Sequence, residues 1–550
     1  MTSPDATPGP AGFGIAPGDG ERGSAGRRAW LGLAATFFAG FSAVSVRNFG
    51  GWDEWLIVSL TSKGITSFPY AHRPLALAWA LPGALGLPAT LSGYWIAHVA
   101  YLCLAGLVAF ALARELAPHE PMLTLVCGAA ALTWVPLDPH RLNPLNNLMY
   151  SGATLAALCG LYCLVLWARG RGRLVLGAGM VLALLAARSY EGTLGLLGGG
   201  SLVLLVALGR ESKRPAWTVA LPWALTVALA AALAAVPLVL GGPSYQVSGL
   251  GWDASPGGVA TRLLAQLRWH LAPLVSAPPP DILSWRVLLA LGAFAVASSS
   301  AGAWSGGRWE RRRLLSLALA GLALAACGWG VMLLSPALSG PERMQGFSAP
   351  GVGLLLGSGA CLAASALPGR FRGIAAGVIG AWIVAAGTAH TLHLQHRWDA
   401  ESVYEQQARL LRGLVRSVPD VKEQTLIVLL DEEGAFPAGF TFRHAVEFLY
   451  SGRAVGMVPG SHDFLYPSRF SEDGVTSEPW PVIRQAWDEP VRRFRYGETV
   501  VVRSRAGTLG LVDRWPSPPL PSPGAQSEYA PRPRIVPRAA LSRTGLLGPG

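Results

Sequence analysis

The chain of 550 residues reads as mostly α: a polytopic bundle of about eleven transmembrane helices followed by a small α+β domain. Three observations predict this. Hydrophobic residues make up 51% of the chain and charged residues only 14%, with a mean hydropathy of +0.38, where an ordinary soluble chain carries about 25% charge. Apolar runs able to cross about 30 Å of hydrocarbon recur through the first 394 residues. After that the composition turns mixed.

The secondary signals agree. Many of the 20 Trp, including Trp30, Trp95, Trp134, Trp167, Trp217, Trp285 and Trp304, stand near the ends of apolar runs, where amphipathic rings sit at headgroup level. The net charge of +12 lies mostly in short loops between runs, so it is a topology signal and does not point to nucleic acid. All six Cys (103, 127, 159, 163, 327 and 361) fall inside apolar runs, as small buried thiols do, without disulfide or zinc spacing.

In chain order, residues 1–28 are rich in Gly, Pro and Ala and are expected to form a disordered cytoplasmic tail. Arg27-Arg28 precede a first span at 29–46, which lacks a cleavage site of small residues and is retained. Further spans are expected at 92–113, 121–137, 149–168, 174–187, 193–208, 216–240, 285–303, 314–335, 349–367 and 374–394. Pro74 to Leu87 is too short and too Pro-interrupted to cross, so it reads as an interfacial helix. The loops with Arg169/Arg171/Arg173, Arg210/Lys213/Arg214, Arg308/Arg311/Arg312/Arg313 and Arg370/Arg372 then fall on one side, the cytoplasm. The N-terminus is inside; the first loop, the 239–284 loop and everything after His393 are outside a bacterial-type inner (plasma) membrane.

The extracytoplasmic domain is expected over 395–516. Its elements are a helix at 401–418, a buried strand at 425–430 and a hairpin of 498–503 with 508–512. The Pro- and Arg-rich tail, 517–550, reads as disordered.

Five polar clusters interrupt this apolar chain, all on the expected outer face. Asp53 and Glu54 follow the first span; a carboxylate there can accept a proton or hold a divalent metal, or can simply end a span. His72-Arg73-Pro74 offers a guanidinium fork for phosphate beside a helix start, or an anchor to headgroups. Asp138, His140 and Arg141, with Asn143, Asn146 and Asn147, concentrate donors in one loop, which Asn-Pro and Asp-Pro would also make a turn. Arg188 and Glu191 lie between two short runs, recessed in the membrane, lining a cavity or paired with each other. Glu342 and Arg343 precede the tenth span. Each has a plain structural reading, and the convergence on one face carries more than any single cluster.

In their order these clusters resemble the GT-C superfamily of membrane glycosyltransferases, above all the protein O-mannosyltransferases and their relatives with transmembrane and TPR regions. The matching positions are His72-Arg73-Pro74-Leu75 for a Tyr-Arg-Pro-Leu stretch, and Arg188-Ser-Tyr-Glu191 for Ser-Lys-Glu. Glu342-Arg343 with Ser348-Ala-Pro-Gly-Val-Gly353 echo a Glu-Arg element followed by Pro-Ser-x-Gly. The similarity covers about 47–357. Asp138-Pro-His140 departs from the family's His-Pro-x-x-x-Glu loop, and no TPR array follows. The resemblance implies a GT-C-like fold and inverting transfer of a sugar from a polyprenyl-phosphate donor to a protein, lipid or glycan acceptor. It implies Asp53 as base or metal ligand, Glu54 as its neighbour, and Arg73 and Arg343 as phosphate binders. A transporter or flippase of lipid-linked saccharides, or a scaffold in envelope assembly, are the rival classes. No cofactor is required beyond a divalent metal at Asp53 in one of these readings.

Overall fold

The structure, a computed structural model, describes residues 19–49, 53–64, 67–68, 73–74, 91–134, 138–240, 251–301, 309–336, 345–461, 465–524, 528–537 and 544–547. It opens with α1 (Asp19–Phe41) and the short α2 (Glu54–Ser62), then a two-residue antiparallel ladder of β1 (Ser67–Phe68) with β2 (Arg73–Pro74). α3 (Leu91–Leu116), α4 (Pro121–Thr133), α5 (Pro144–Ala168), α6 (Arg173–Ser189), α7 (Thr193–Leu208) and α8 (Ala216–Leu240) follow. α9 (Pro256–Val275), α10 (Trp285–Ser300), α11 (Arg311–Trp329), α12 (Gln345–Ala364) and α13 (Gly369–Glu401) complete the bundle.

Every expected apolar run contains a helix, and the break between α6 and α7 falls at the Arg188–Glu191 turn. Six helices, α3, α5, α8, α11, α12 and the one starting at Gly369, are long and apolar enough to cross a membrane. α4, α7 and α10 are apolar but of 13 to 16 residues, or about 20–24 Å at 1.5 Å per residue, short of a full hydrocarbon core. The chain therefore has a membrane-type helix bundle, and among the described residues six of its helices meet the length and composition of a span. α1 begins at Asp19, so the tail expected to be disordered through residue 28 is helical over its last ten residues. The interfacial helix expected at Pro74 to Leu87 lies, beyond Pro74, outside the described residues.

Small residues let the bundle close. A Cβ on Gly351 of α12 would stand 2.2 Å from the Ala325 amide of α11, and one on Gly321 would stand 2.5 Å from the Leu355 amide. These two helices touch backbone to backbone, the close approach that small residues allow where lipid supplies no hydrophobic drive. One end of the bundle gathers the basic loops: Arg169 pairs with Glu115 at 3.1 Å, Arg313 with Glu211 at 3.0 Å, and Arg214 stacks on Trp167. We call it the basic end, and the opposite one the domain end.

At the domain end α14 (Tyr404–Ser417), its apolar stripe buried, leads into β3 (Asp420–Val421) and β4 (Thr425–Asp431). α15 (Gly439–Leu449) then crosses to β5 (Ala454–Met457). β6 (Ser468–Phe470), β7 (Gly474–Ser477), α16 (Pro481–Trp487) and β8 (Arg492–Arg495) form a side layer. β9 (Thr499–Arg505) and β10 (Thr508–Leu511) make the expected hairpin. The main sheet runs β10-β9-β4-β5, with β4 parallel to both β5 and β9. The described residues after 516 pack on this domain and are not a loose tail. β11 (Ile535–Val536) pairs with β3, Tyr529 donates to the Val512 carbonyl, and Tyr404 donates to that of Leu546. The Pro and Arg content masked three anchors, Leu520, Tyr529 and Leu546, that bury apolar surface.

α15 is buried along its whole length because the sheet covers one side and α2 the other. The contact carries charge. Arg443 reaches Glu447 at 3.3 Å, Glu489 at 2.9 Å and the Ser477 hydroxyl at 2.8 Å, over the Tyr466 ring. Lys63 of the first loop adds an ion pair to Glu447 at 2.8 Å. Burial alone would raise the Glu447 carboxyl, but Arg443, His444 and Lys63 outweigh it and hold it well below the usual range, while burial lowers His444. Breaking a buried pair leaves an uncompensated charge, so Glu447→Ala is expected to cost roughly 3 kcal/mol. Lys63→Met, at a partly exposed site with Arg443 still in place, should cost under about 1 kcal/mol. Thermal denaturation of the purified protein checks both. At both shifted groups the unfolded chain binds protons that the folded one does not, so stability rises with pH. It should begin to fall below about pH 6.5 as unfolded His444 protonates, and more steeply below about pH 4.3 as unfolded Glu447 does. Denaturation midpoints measured between pH 3 and 8 test that sign.

Candidate functional site

α2 is nine residues long, too short to hold itself helical in water. Burial does so instead: every residue from Glu54 to Leu60 is inside, between α5 and the C-terminal domain. Trp55 donates its indole N–H to Gln407 at 2.9 Å, and Phe49 packs edge-on against both Trp55 and Tyr404. Asp53 stands at the N-cap; its carbonyl accepts the Ile57 amide, while its half-buried side chain does not cap the helix. Glu54, 1% exposed, turns inward, and its Oε1 accepts from the Asn143 amide.

Asn143 works in two directions. Its Oδ1 caps α5 by accepting the Asn146 amide at 3.1 Å, and its Nδ2 reaches Glu54. A cap of this type satisfies amides that a helix start leaves open. Just before it, residues Pro139–Leu142 form a 3-10 turn whose last carbonyl accepts from Asn48 at 2.9 Å. Asn48 and Gln395 exchange amide bonds of 2.7 and 2.9 Å, and Gln395 also reaches Asp399 at 2.7 Å. The first loop, the Asp138–Asn147 loop and α13 are thus laced together at the domain end.

A cavity of about 40 Å³ opens beside this junction. Asp138, Arg141, Asn147, Tyr150 and Ser151 supply its polar wall, and Phe347 with Pro350 of α12 the other. The buried Arg141 guanidinium donates to the last carbonyls of α4, Leu132 and Thr133, and covers the Phe41 ring at 4.7 Å. It therefore closes a helix C-terminus, where positive charge suits the dipole, as well as lining the cavity. Three aromatic rings join the remaining clusters: Tyr190 stacks on Phe347 at 5.4 Å and meets Tyr150 edge-on at 4.6 Å. Through them the Arg188–Glu191 turn touches α5 and the start of α12. Arg188 donates to the Leu233 carbonyl of α8 at 3.0 Å, and Glu191 is half-buried.

On the other side of α5 lies a second, apolar cavity of about 250 Å³, walled by Tyr101, Met149, Leu155, Leu182 and Leu185. The two cavities share a helix: Tyr150 and Ser151 face one, Met149 and Gly152 the other.

Of the expected site residues, Asp138 and Arg141 line one cavity, and Glu54 is hydrogen-bonded to Asn143 of the same loop. Asp53 sits one residue before Glu54. β2, which carries Arg73, lies against α6. His72, Glu342 and Arg343, and the side chains of Arg73 and His140, are outside what is described. Among the described residues no group of three or more His, Cys, Asp or Glu is arranged to hold a metal ion. The structure adds His98, which bridges the Ser151 hydroxyl at 3.1 Å and the Arg141 carbonyl at 2.8 Å from inside α3. An imidazole within an apolar run was the signal for it. Asn143 and the Tyr190–Phe347 stack were not marked by any pattern.

No protein-family model, curated protein or solved structure matches the chain.

Asn143→Ala removes both a helix cap and the partner of a buried carboxylate. It should lower stability by about 1 kcal/mol for the cap and about 2 kcal/mol more for the charged bond. Asn143→Asp keeps the cap but sets a second carboxylate against Glu54, so it too should denature below the wild type. Equal melting temperatures for all three proteins would show that the junction does not hold α2.

Proposed function

We propose that the chain is a GT-C-like glycosyltransferase that moves a sugar from a polyprenyl-phosphate donor to an acceptor at the domain end of the bundle. In this reading the basic end faces the cytoplasm of a bacterial-type cell and the C-terminal domain lies outside the plasma membrane. The observation that carries it is the pair of cavities on α5, one with Asp138 and Arg141 on part of its wall, one apolar. A donor with a charged head and an isoprenoid tail needs that pairing of environments.

The chemistry follows from the acid pair. A hydroxyl of the acceptor attacks the anomeric carbon, the bond from that carbon to the phosphate oxygen breaks, and polyprenyl phosphate leaves with the electron pair. The acceptor's proton passes to Asp53, half-buried at the N-terminus of α2. Glu54, held against Asn143, positions that end. Arg73 and Arg343 neutralise the departing phosphate, the task for which a guanidinium fork is suited. No step is routed through a metal.

The test uses the full chain in membranes supplied with a radiolabelled polyprenyl-phosphate sugar, reading transfer to endogenous acceptors. Asp53→Asn should cut transfer by about 10²-fold or more, the scale of a lost general base, and Arg73→Ala should act in the same direction. Transfer at the wild-type rate in both variants would overturn the assignment. Movement of the intact donor across the bilayer without transfer would favour a flippase.

A further inference from the structure

Within the segment between α8 and α10, expected as an aqueous loop, α9 buries polar side chains and exposes apolar ones. α9 turns Gln266 and His270, each 1% exposed, toward the protein. Its outward side carries Leu264 (66% exposed), Leu271 and Val275 (89% exposed) together with the exposed Arg268, whose long side chain reaches back toward the headgroup level. In water such a helix would be inside out; against acyl chains the arrangement is the favourable one.

Its depth agrees. α9 starts at the domain end, where Arg262 pairs with Asp253 at 2.9 Å and donates to the carbonyl of Leu333, four residues beyond α11. From there it descends. The His270 carbonyl accepts from Trp134, its ring meets Trp329 at 5.5 Å, and the Leu274 carbonyl accepts from Trp382 at 3.1 Å. Trp382 stands thirteen residues into α13, or about 20 Å along it, in the middle of its apolar stretch. The return limb reaches Asp281, which meets His396 at 3.2 Å, back at the domain end. Between Trp382 and His396 the helix rises about 21 Å, and the non-helical residues 276–279, with the side-chain contact of Asp281 to His396, carry the chain back along it. Residues 276–278 of that limb are exposed and Pro279 is buried. Ser276 donates to the Ala272 carbonyl, Pro278, Pro279 and Pro280 bring no amide donors, and the Trp382 indole serves a carbonyl in the last turn of α9, which leaves few backbone donors unpaired. Exposed Trp252 and Trp285 mark the two roots of the excursion, the level at which indoles gather.

We propose that residues 252–285 form a re-entrant hairpin, down along α9 and back along the Pro-rich limb, immersed in one leaflet. Leu264, Leu271 and Val275 lie against lipid acyl chains, and the exposed Val378 and Trp382 of α13 continue the same surface. The hairpin braces the site from outside: His270 meets the Ser348 hydroxyl at 3.2 Å, next to the Phe347 that lines the polar cavity. This inference rests on the chain being a membrane protein and not on the transferase reading.

Spin labels at Leu264→Cys and Val275→Cys, in a full-length background without the six native cysteines and reconstituted into phospholipid vesicles, test it. Asp473→Cys, on an exposed turn of the C-terminal domain, is the aqueous reference. Collision with a water-soluble nickel chelate should be roughly tenfold lower at Val275 than at Asp473, with oxygen collision high, because hydrocarbon excludes the chelate and dissolves oxygen. Leu264 should fall between them. Nickel access at Val275 equal to that at Asp473 would return the segment to water, and exclusion of both reagents would mean a protein cover such as a second copy. Either result overturns the proposal. Val275→Arg in the native-cysteine chain is the second check: it should lower the folded yield from membranes severalfold while Val275→Ser does not, and an unchanged yield for the arginine variant counts against immersion.

Discussion

Glu54 is a carboxylate buried among apolar helices, and it is there because Asn143 meets it from the cap of α5. That contact fixes the N-terminus of α2, and α2 in turn fills the space between the bundle and the C-terminal domain. A helix of nine residues has no stability of its own, so its conformation is set by what covers it. On one side that is α5, and on the other α14 and α15, through Trp55 to Gln407 and Lys63 to Glu447. The domain is therefore part of the wall that holds the acid pair in place, and the two regions share one continuous apolar core.

The same logic explains where polar groups occur in the rest of the bundle. Arg141 engages the last carbonyls of α4, His98 engages Ser151 and the Arg141 carbonyl, and Asn48 engages Gln395. Satisfying backbone and side-chain groups internally is what a medium without water demands. The lacing also brings segments distant in sequence to the domain end, which is how one small cavity comes to be lined from α3, α4, α5 and α12.

Sequence patterns revealed the elements better than their partners. The helices at 92–113, 149–168 and 216–240, the strand at 425–430 and the hairpin after Glu498 follow from hydrophobic length and periodicity, which are local properties. Arg141 shows the limit: its residue type suggested a substrate donor, whereas its place after α4 makes it a helix cap as well. The tail after residue 516 was misjudged because Pro and Arg dominate its composition, while Leu520, Tyr529 and Leu546, few and widely spaced, do the packing. Helix length separates the runs: at 193–208 the helix is the sixteen residues of the apolar run itself, shorter than a full hydrocarbon core.

By itself the sequence determined that this is a helical membrane protein with a mixed C-terminal domain, because the free energy of placing apolar runs in lipid depends on composition and length alone. It also determined which loops hold ionisable groups. Only the tertiary structure decided that α2 is buried between two regions, that Glu54 faces Asn143, and that α9 turns its polar side inward. Those outcomes depend on which side chains meet across hundreds of residues. Two surfaces of identical composition differ in energy according to whether water, lipid or protein lies against them, and that is settled only when the chain has folded.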